Sequence, residues 1–148
     1  MLVRKPAHLS WVECAGIPEN FLTAYQALVL VGEYQKGESV LVHAGASGVG
    51  VAANQIARSF GAKHVLTTAG TDDKVRFLER LEVAPTKGIN YRTQDFADVV
   101  KKETDGKGVD VVRPLSSLLL PVLRLLTFSR VPTKGDRFRR RRLLLTQS

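Results

Sequence analysis

One eight-residue stretch, His43-Ala44-Gly45-Ala46-Ser47-Gly48-Val49-Gly50, narrows the choice of fold more than anything else in the chain. Before it stands Val40-Leu41-Val42-His43, a β-rich run with no polar alternation, as fits a strand buried on both faces of a parallel sheet. After it comes a helix over Val49 to Phe60. There Val49, Ala52, Ala53, Ile56, Ala57 and Phe60 recur at i, i+3, i+4, i+7, i+8 and i+11, and Gly61 supplies the stop. Strand, glycine-rich turn and helix form the setting a dinucleotide pyrophosphate needs. Small residues let the backbone come close, while free N–H groups and the helix dipole hold the negative charge. The spacing is G-A-S-G-V-G, so Ser47 stands at the usual second glycine. The blander alternative is that these glycines only pack helix against strand.

The rest of residues 1–112 continues the alternation. Asn20 to Val31 reads as a packed helix, with Gly32 as its stop, among short helical stretches at the start. A second strand, His64 to Thr68, precedes a helix over Asp72 to Leu81 capped by Thr71. Gly88 to Tyr91 is a short third strand. Asp95 to Thr104 is a third helix of this series, and Asp105 to Gly108 turns the chain into a fourth strand, Val109 to Val112. Strands alternating with helices of about ten residues imply right-handed crossovers and a parallel sheet. The expectation is α/β: a partial Rossmann fold, with four parallel strands in order 3-2-1-4 and N-terminal helices.

The end of the second strand bears on cofactor choice. A site for NAD usually carries an acid about 20 residues past the glycines, bonded to the ribose 2′-hydroxyl. Here Thr68-Ala69-Gly70-Thr71 leaves the strand tip without a carboxylate and so with room for a 2′-phosphate. Lys74, one helical turn on, could neutralise that phosphate or could be a solvated surface lysine. Asp72 and Asp73 argue the other way unless they point outward from the helix N-terminus.

The net charge of +8 suggests nucleic acid until it is divided. Residues 113–148 hold nine Lys/Arg and one acid, Asp136, which leaves thirteen bases against thirteen acids in residues 1–112. The tail is rich in Leu and Arg without a period of two or 3.6. Its Arg137-Phe138-Arg139-Arg140-Arg141-Arg142 run could hold phosphates, but a solvated, disordered end is the expected reading and nucleic acid is not an expected partner. No apolar run approaches the roughly 20 residues of a membrane span, and the N-terminus lacks a signal-peptide core. One cysteine, Cys14, excludes a disulfide framework within the chain and is expected to be a small buried thiol in a cytoplasmic protein. Cys14, His8, His43 and His64 have no zinc-ligand spacing. Ser47 is not a nucleophile elbow, because G-x-S-x-G would need glycine where Val49 stands.

Five stretches taken together, LTAYQAL, GESVLVHAGASGVGVAANQIAR, TTAGT, INYRTQDF and GKGVDVV, resemble the zeta-crystallin-like quinone oxidoreductases. These are zinc-free members of the medium-chain dehydrogenase/reductase superfamily. The likeness runs from about Leu9 to Val112. It implies hydride transfer from NADPH to a quinone or another α,β-unsaturated carbonyl, and a homodimer or tetramer. By the same likeness Ser47, Gly48, Val49 and Gly50 match the pyrophosphate turn, and Gly70 and Lys74 the adenosine-ribose phosphate site. Tyr91 matches a position against that phosphate or the adenine, and Thr23 a threonine near the nicotinamide. No side chain is expected to act as a catalytic residue, since the cofactor carries the chemistry.

The departures set the expected domain plan. Residues 1–38 read as a helical lead-in from the end of a catalytic domain, 39–112 as an incomplete dinucleotide-binding domain, and 113–148 as an unrelated tail. Most of the family's N-terminal catalytic domain and its last strands, including the dimer strand, have no counterpart here. The expectation is therefore a truncated, impaired NADPH-dependent quinone oxidoreductase. The alternatives are a non-catalytic NADP(H)-binding fragment and an anion or nucleic-acid binder acting through the tail.

Overall fold

Ser10 starts the first helix. Its hydroxyl accepts from the Glu13 N–H at 3.2 Å and the Glu13 carboxylate accepts from the Ser10 N–H at 2.7 Å, a reciprocal cap that satisfies two donors at once. In the computed structural model, which describes residues 4–113, helix α1 spans Trp11–Tyr25 with Pro18 inside it. It passes without a break into a wider π-helical turn over Gln26–Val31, where the Gly32 N–H reaches back five residues to the Ala27 carbonyl at 3.0 Å. The helix thus begins well before Asn20. The S-x-x-E pattern at Ser10 and Glu13 is the sequence signal for that start.

Seven elements follow: β1 (Ser39–Val42), α2 (Gly48–Ser59), β2 (His64–Ala69), α3 (Asp72–Glu79), β3 (Lys87–Asn90), α4 (Phe96–Glu103) and β4 (Val111–Arg113). All strand pairs are parallel, in the order β3-β2-β1-β4. This is the 3-2-1-4 order expected from the alternation. Strand β1 pairs with β2 in the register Val42↔Thr67 and with β4 in the register Val40↔Val111.

The fourth strand begins two residues later than the periodicity suggests. Asp105, Gly106 and Gly108 all have positive φ, and the Asp110 carboxylate accepts from the Ser39 N–H at 2.8 Å. Val109 and Asp110 are therefore used to dock the incoming connection against the start of β1. Arg113, assigned to the tail by composition, is the last residue of β4. The expectations for the remaining tail lie outside the described residues.

The sheet is buried on both sides, which explains why its strands lack polar alternation. On one face Val40, Val42 and Val65 pack with Ala52, Ala53, Ile56 and Ala57 of α2 and with Ala24 and Leu28 at the C-terminal end of α1 and the turn after it. Helix α3 lies on the same side, so close to β3 that a Cβ on Gly88 would stand 2.7 Å from Val75 Cγ1. On the other face Leu41, Leu66 and Ile89 pack with Val100 of α4 and with Val109. Cys14 is half-buried, not buried as expected, because it lies on the early part of α1 where most side chains meet solvent. Among the described residues no helix is long and apolar enough to cross a membrane.

Candidate dinucleotide site

The turn after β1 is built by its own backbone. Ala44 takes a left-handed conformation (φ 50°), its carbonyl accepts from the Ser47 N–H at 3.0 Å, and the Gly45 N–H donates to the Thr68 carbonyl of β2 at 2.8 Å. Ser47 then caps α2: its Oγ accepts from the Gly50 N–H at 3.1 Å and its carbonyl accepts from the Val51 N–H at 2.8 Å. Gly48 and Val49 occupy the first turn, where N–H groups have no carbonyl within the helix to bond. Glycine is required at 50 for space. A Cβ there would overlap the Ala44 carbonyl and stand 2.7 Å from Gly45 Cα, so α2 could not sit down on the turn.

Beside this turn lies a cavity of about 250 Å³ with three walls. Ala44, Ala46 and Ser47 come from the β1–α2 connection. Ala69, Gly70, Thr71 and Lys74 come from the end of β2 and the start of α3. Tyr91 and Arg92 come from the turn after β3. Gly70 is what lets the last two walls meet: a Cβ on it would stand 2.9 Å from the Tyr91 hydroxyl. Thr71 caps α3 by accepting from the Lys74 N–H at 3.3 Å, which fixes where the Lys74 side chain leaves the helix. Asn90 organises the third wall, since its Oδ1 accepts from the Arg92 N–H at 3.1 Å.

The charge of the cavity is one-sided. Two cations, Lys74 and Arg92, line it, and no carboxylate does. The two acids at the start of α3 are engaged elsewhere: Asp72 accepts from the Asn90 side-chain amide at 2.6 Å, and Asp73 pairs with Arg76 one helical turn on. Behind the turn, His43 stacks edge-on against Phe96 with ring centres 5.3 Å apart, and its Nδ1 lies 3.1 Å from Thr68 Oγ1. Burial pushes the His43 imidazole below its usual 6.5, which favours the neutral ring.

Of the residues singled out by sequence, Ser47, Gly70, Lys74 and Tyr91 meet in this one cavity. Gly48, Val49 and Gly50 form the helix turn at its side. Thr23 does not line it; it sits half-buried on α1, the helix that packs against α2. The sequence reading missed Arg92 and Thr71 as wall residues. Arg92 follows Tyr91 directly, and only the chain reversal after β3 shows that it faces the same space.

A dinucleotide phosphate fits what is present: a close-packed glycine cradle, unbonded first-turn N–H groups and two unopposed cations. Among the described residues no three of His, Cys, Asp and Glu come together as metal ligands.

Residues 48–117 match the family described as zinc-binding dehydrogenase. A highly reducing polyketide synthase, poxF of Penicillium oxalicum, is 46% identical over 120 residues, which is 80% of this chain and 5% of the synthase. The crystal structure of the CurK enoyl reductase superposes with a TM-score of 0.67 at 44% identity, covering 74% of this chain and 32% of that one. A quinone oxidoreductase of Pseudomonas syringae superposes with a TM-score of 0.66 at 30% identity, over 74% and 33% of the two chains. The chain thus spans about a third of these reductases and a small part of the synthase. Enoyl reductases of this kind bind NADP(H), and the segment matched here is their nucleotide-binding part. With its 3-2-1-4 parallel sheet, its glycine turn and these relatives, the chain is similar to the nucleotide-binding part of the enoyl reductases of the medium-chain dehydrogenase/reductase superfamily.

Proposed function

We propose that this chain supplies the NADPH-binding part of an enoyl reductase of the type found in reducing polyketide synthases. The observation that carries the reading is the pairing of Lys74 and Arg92 in a cavity without an acid, next to the glycine turn. The 2′-phosphate lies between these two cations, the ribose over Gly70, the adenine against Tyr91, and the pyrophosphate on the first turn of α2. Ser47 holds that turn rigid by capping it. Thr23 serves the nicotinamide end. Bound NADPH supplies a hydride, and the acceptor is an α,β-unsaturated carbonyl. An enoyl thioester is preferred over a quinone, because relatives named for enoyl reduction or polyketide synthesis are 40–46% identical and the quinone oxidoreductase of Pseudomonas syringae 30%.

Titration of the 148-residue chain with NADPH and NADH tests this. NADPH is expected to bind more tightly, and equal affinity or no binding overturns it. A turnover assay with a crotonyl thioester and with a soluble quinone tests the acceptor. Hydride transfer needs the acceptor held within about 3–3.5 Å in an aligned pose. The cavity walls serve the adenosine end, so turnover well below that of a full-length reductase is expected, with the thioester ahead of the quinone.

A further inference from the structure

Beneath the glycine turn, between α2 and the sheet, lie two fully buried polar side chains, Asn54 and Thr67. Neither touches the cavity, and the pyrophosphate reading uses neither. They sit among alanines and valines: Ala53 and Ala57 on the helix side, Val42 and Val65 on the strand side. The Thr67 hydroxyl donates to the Val42 carbonyl at 3.1 Å and accepts from Asn54 Nδ2 at 3.4 Å. The Asn54 Oδ1 has no partner at all. This short relay joins three elements, from α2 through β2 to the last carbonyl of β1. Gly45 rests directly on it: a Cβ on Gly45 would fall on Thr67 Oγ1 and stand 3.2 Å from Asn54 Nδ2.

We infer that Asn54 and Thr67 are positioning residues for the phosphate-binding turn, setting the height at which Gly45 and the first turn of α2 stand above the sheet. The chemistry is specific to a hydroxyl. An isosteric methyl in place of Oγ1 is wider, cannot bond the Val42 carbonyl and presses on Gly45. A shift of the turn by a fraction of an ångström moves every N–H that faces the pyrophosphate. The adenosine 2′-phosphate pocket should not notice, because its cations stand on the α3 and β3 connections. The inference rests on the NADPH reading only for the ligand used to detect it.

The test compares Thr67→Val, Thr67→Ser and Asn54→Leu in the 148-residue chain, with folding of each checked by circular dichroism. NADPH and 2′-AMP are titrated separately, since 2′-AMP reaches the adenosine pocket but carries no pyrophosphate. Thr67→Val and Asn54→Leu are expected to weaken NADPH by about tenfold and leave 2′-AMP within twofold, while Thr67→Ser, which keeps the hydroxyl, restores NADPH. Equal losses for both ligands, or none, overturn the inference. Amide hydrogen exchange in the ligand-free chain gives a second readout: protection of the Gly45–Gly50 amides should fall in Thr67→Val and return in Thr67→Ser. Unchanged exchange also overturns it, including for a variant that binds nothing. If the unsubstituted chain ignores NADPH but the exchange responds as stated, the positioning role stands and the proposed function falls.

Discussion

The side-chain amide of Asn90 donates to the Asp72 carboxylate at 2.6 Å, across eighteen residues of sequence. This bond takes the acid nearest the strand tip out of the cavity and joins the second wall to the third. The same Asn90 accepts from the Arg92 N–H, so one side chain restrains an anion and orients a cation. Asn90→Ala is expected to weaken NADPH roughly fivefold while changing NADH little, through one freed charge near the phosphate. Adding Asp72→Asn should recover part of that loss. Calorimetric titration of the two variants beside the unsubstituted chain checks it, and an equal loss for both cofactors would contradict it.

Lys74 and Arg92 enter the cavity from different connections, so their contributions can be separated. Lys74→Glu is expected to erase the preference for NADPH over NADH, and Arg92→Glu to reduce it by about tenfold. Neither should alter thermal stability by more than about 0.5 kcal/mol, since both sit on the solvent side. Ratios of Kd for the two cofactors decide the matter. A fall in melting temperature of several degrees would show that the charges serve the fold instead.

Two glycine-to-alanine changes should separate folding from binding. At Gly50 the new methyl meets the backbone of the turn, which cannot yield, and the expected cost is about 3 kcal/mol. At Gly70 it meets the far end of the Tyr91 ring, which is 52% exposed and free to swing away. Gly70→Ala should leave stability nearly unchanged and weaken NADPH several-fold by filling the ribose position. Urea melts alongside titrations give both numbers. Comparable unfolding midpoints for the two variants would refute the distinction.

His43 should make stability depend on pH. Its folded-state pKa lies below 6.5 because burial disfavours the imidazolium, so the unfolded chain binds the proton more readily. Its stabilising contribution is full above the unfolded value and is lost as pH falls from about 6.5 through the folded value, at no more than about 1.4 kcal/mol per pH unit for one proton. His43→Gln should flatten that part of the profile. Urea melts between pH 5 and 8 would show it, and an identical slope in the variant would exclude His43 as the cause.

Much of the sheet was legible because its signals are local. The β1 run, the amphipathic face of α2, the stop at Gly61 and the turn over Asp105 to Gly108 lie within short windows, and parallel crossovers leave few ways to order the strands. The cap at Thr71 was legible for the same reason. What escaped was set by contacts distant in sequence. The start of β4 depends on Asp110 bonding Ser39, 71 residues away, and periodicity cannot show that. Arg92 joins Lys74 only because β3 and β2 end side by side. The outward role of Asp72 was posed as a condition by the sequence, and only Asn90 answers it. The early start of α1 had a local signal in Ser10 and Glu13; Pro18 within the helix conceals it, since proline in a helix interior usually marks an end.

The cavity walls belong to three successive connections, after β1, β2 and β3, at one end of the sheet. A ligand touching all three acts as a clasp on the open end of the sheet. Free ligand at a hundred times its Kd would add about 2.7 kcal/mol to the folding free energy by mass action alone. For a fragment of this size that is a large share of the total. Cofactor supply would then govern how long such a chain survives in a cell, before any bond in a substrate is reduced.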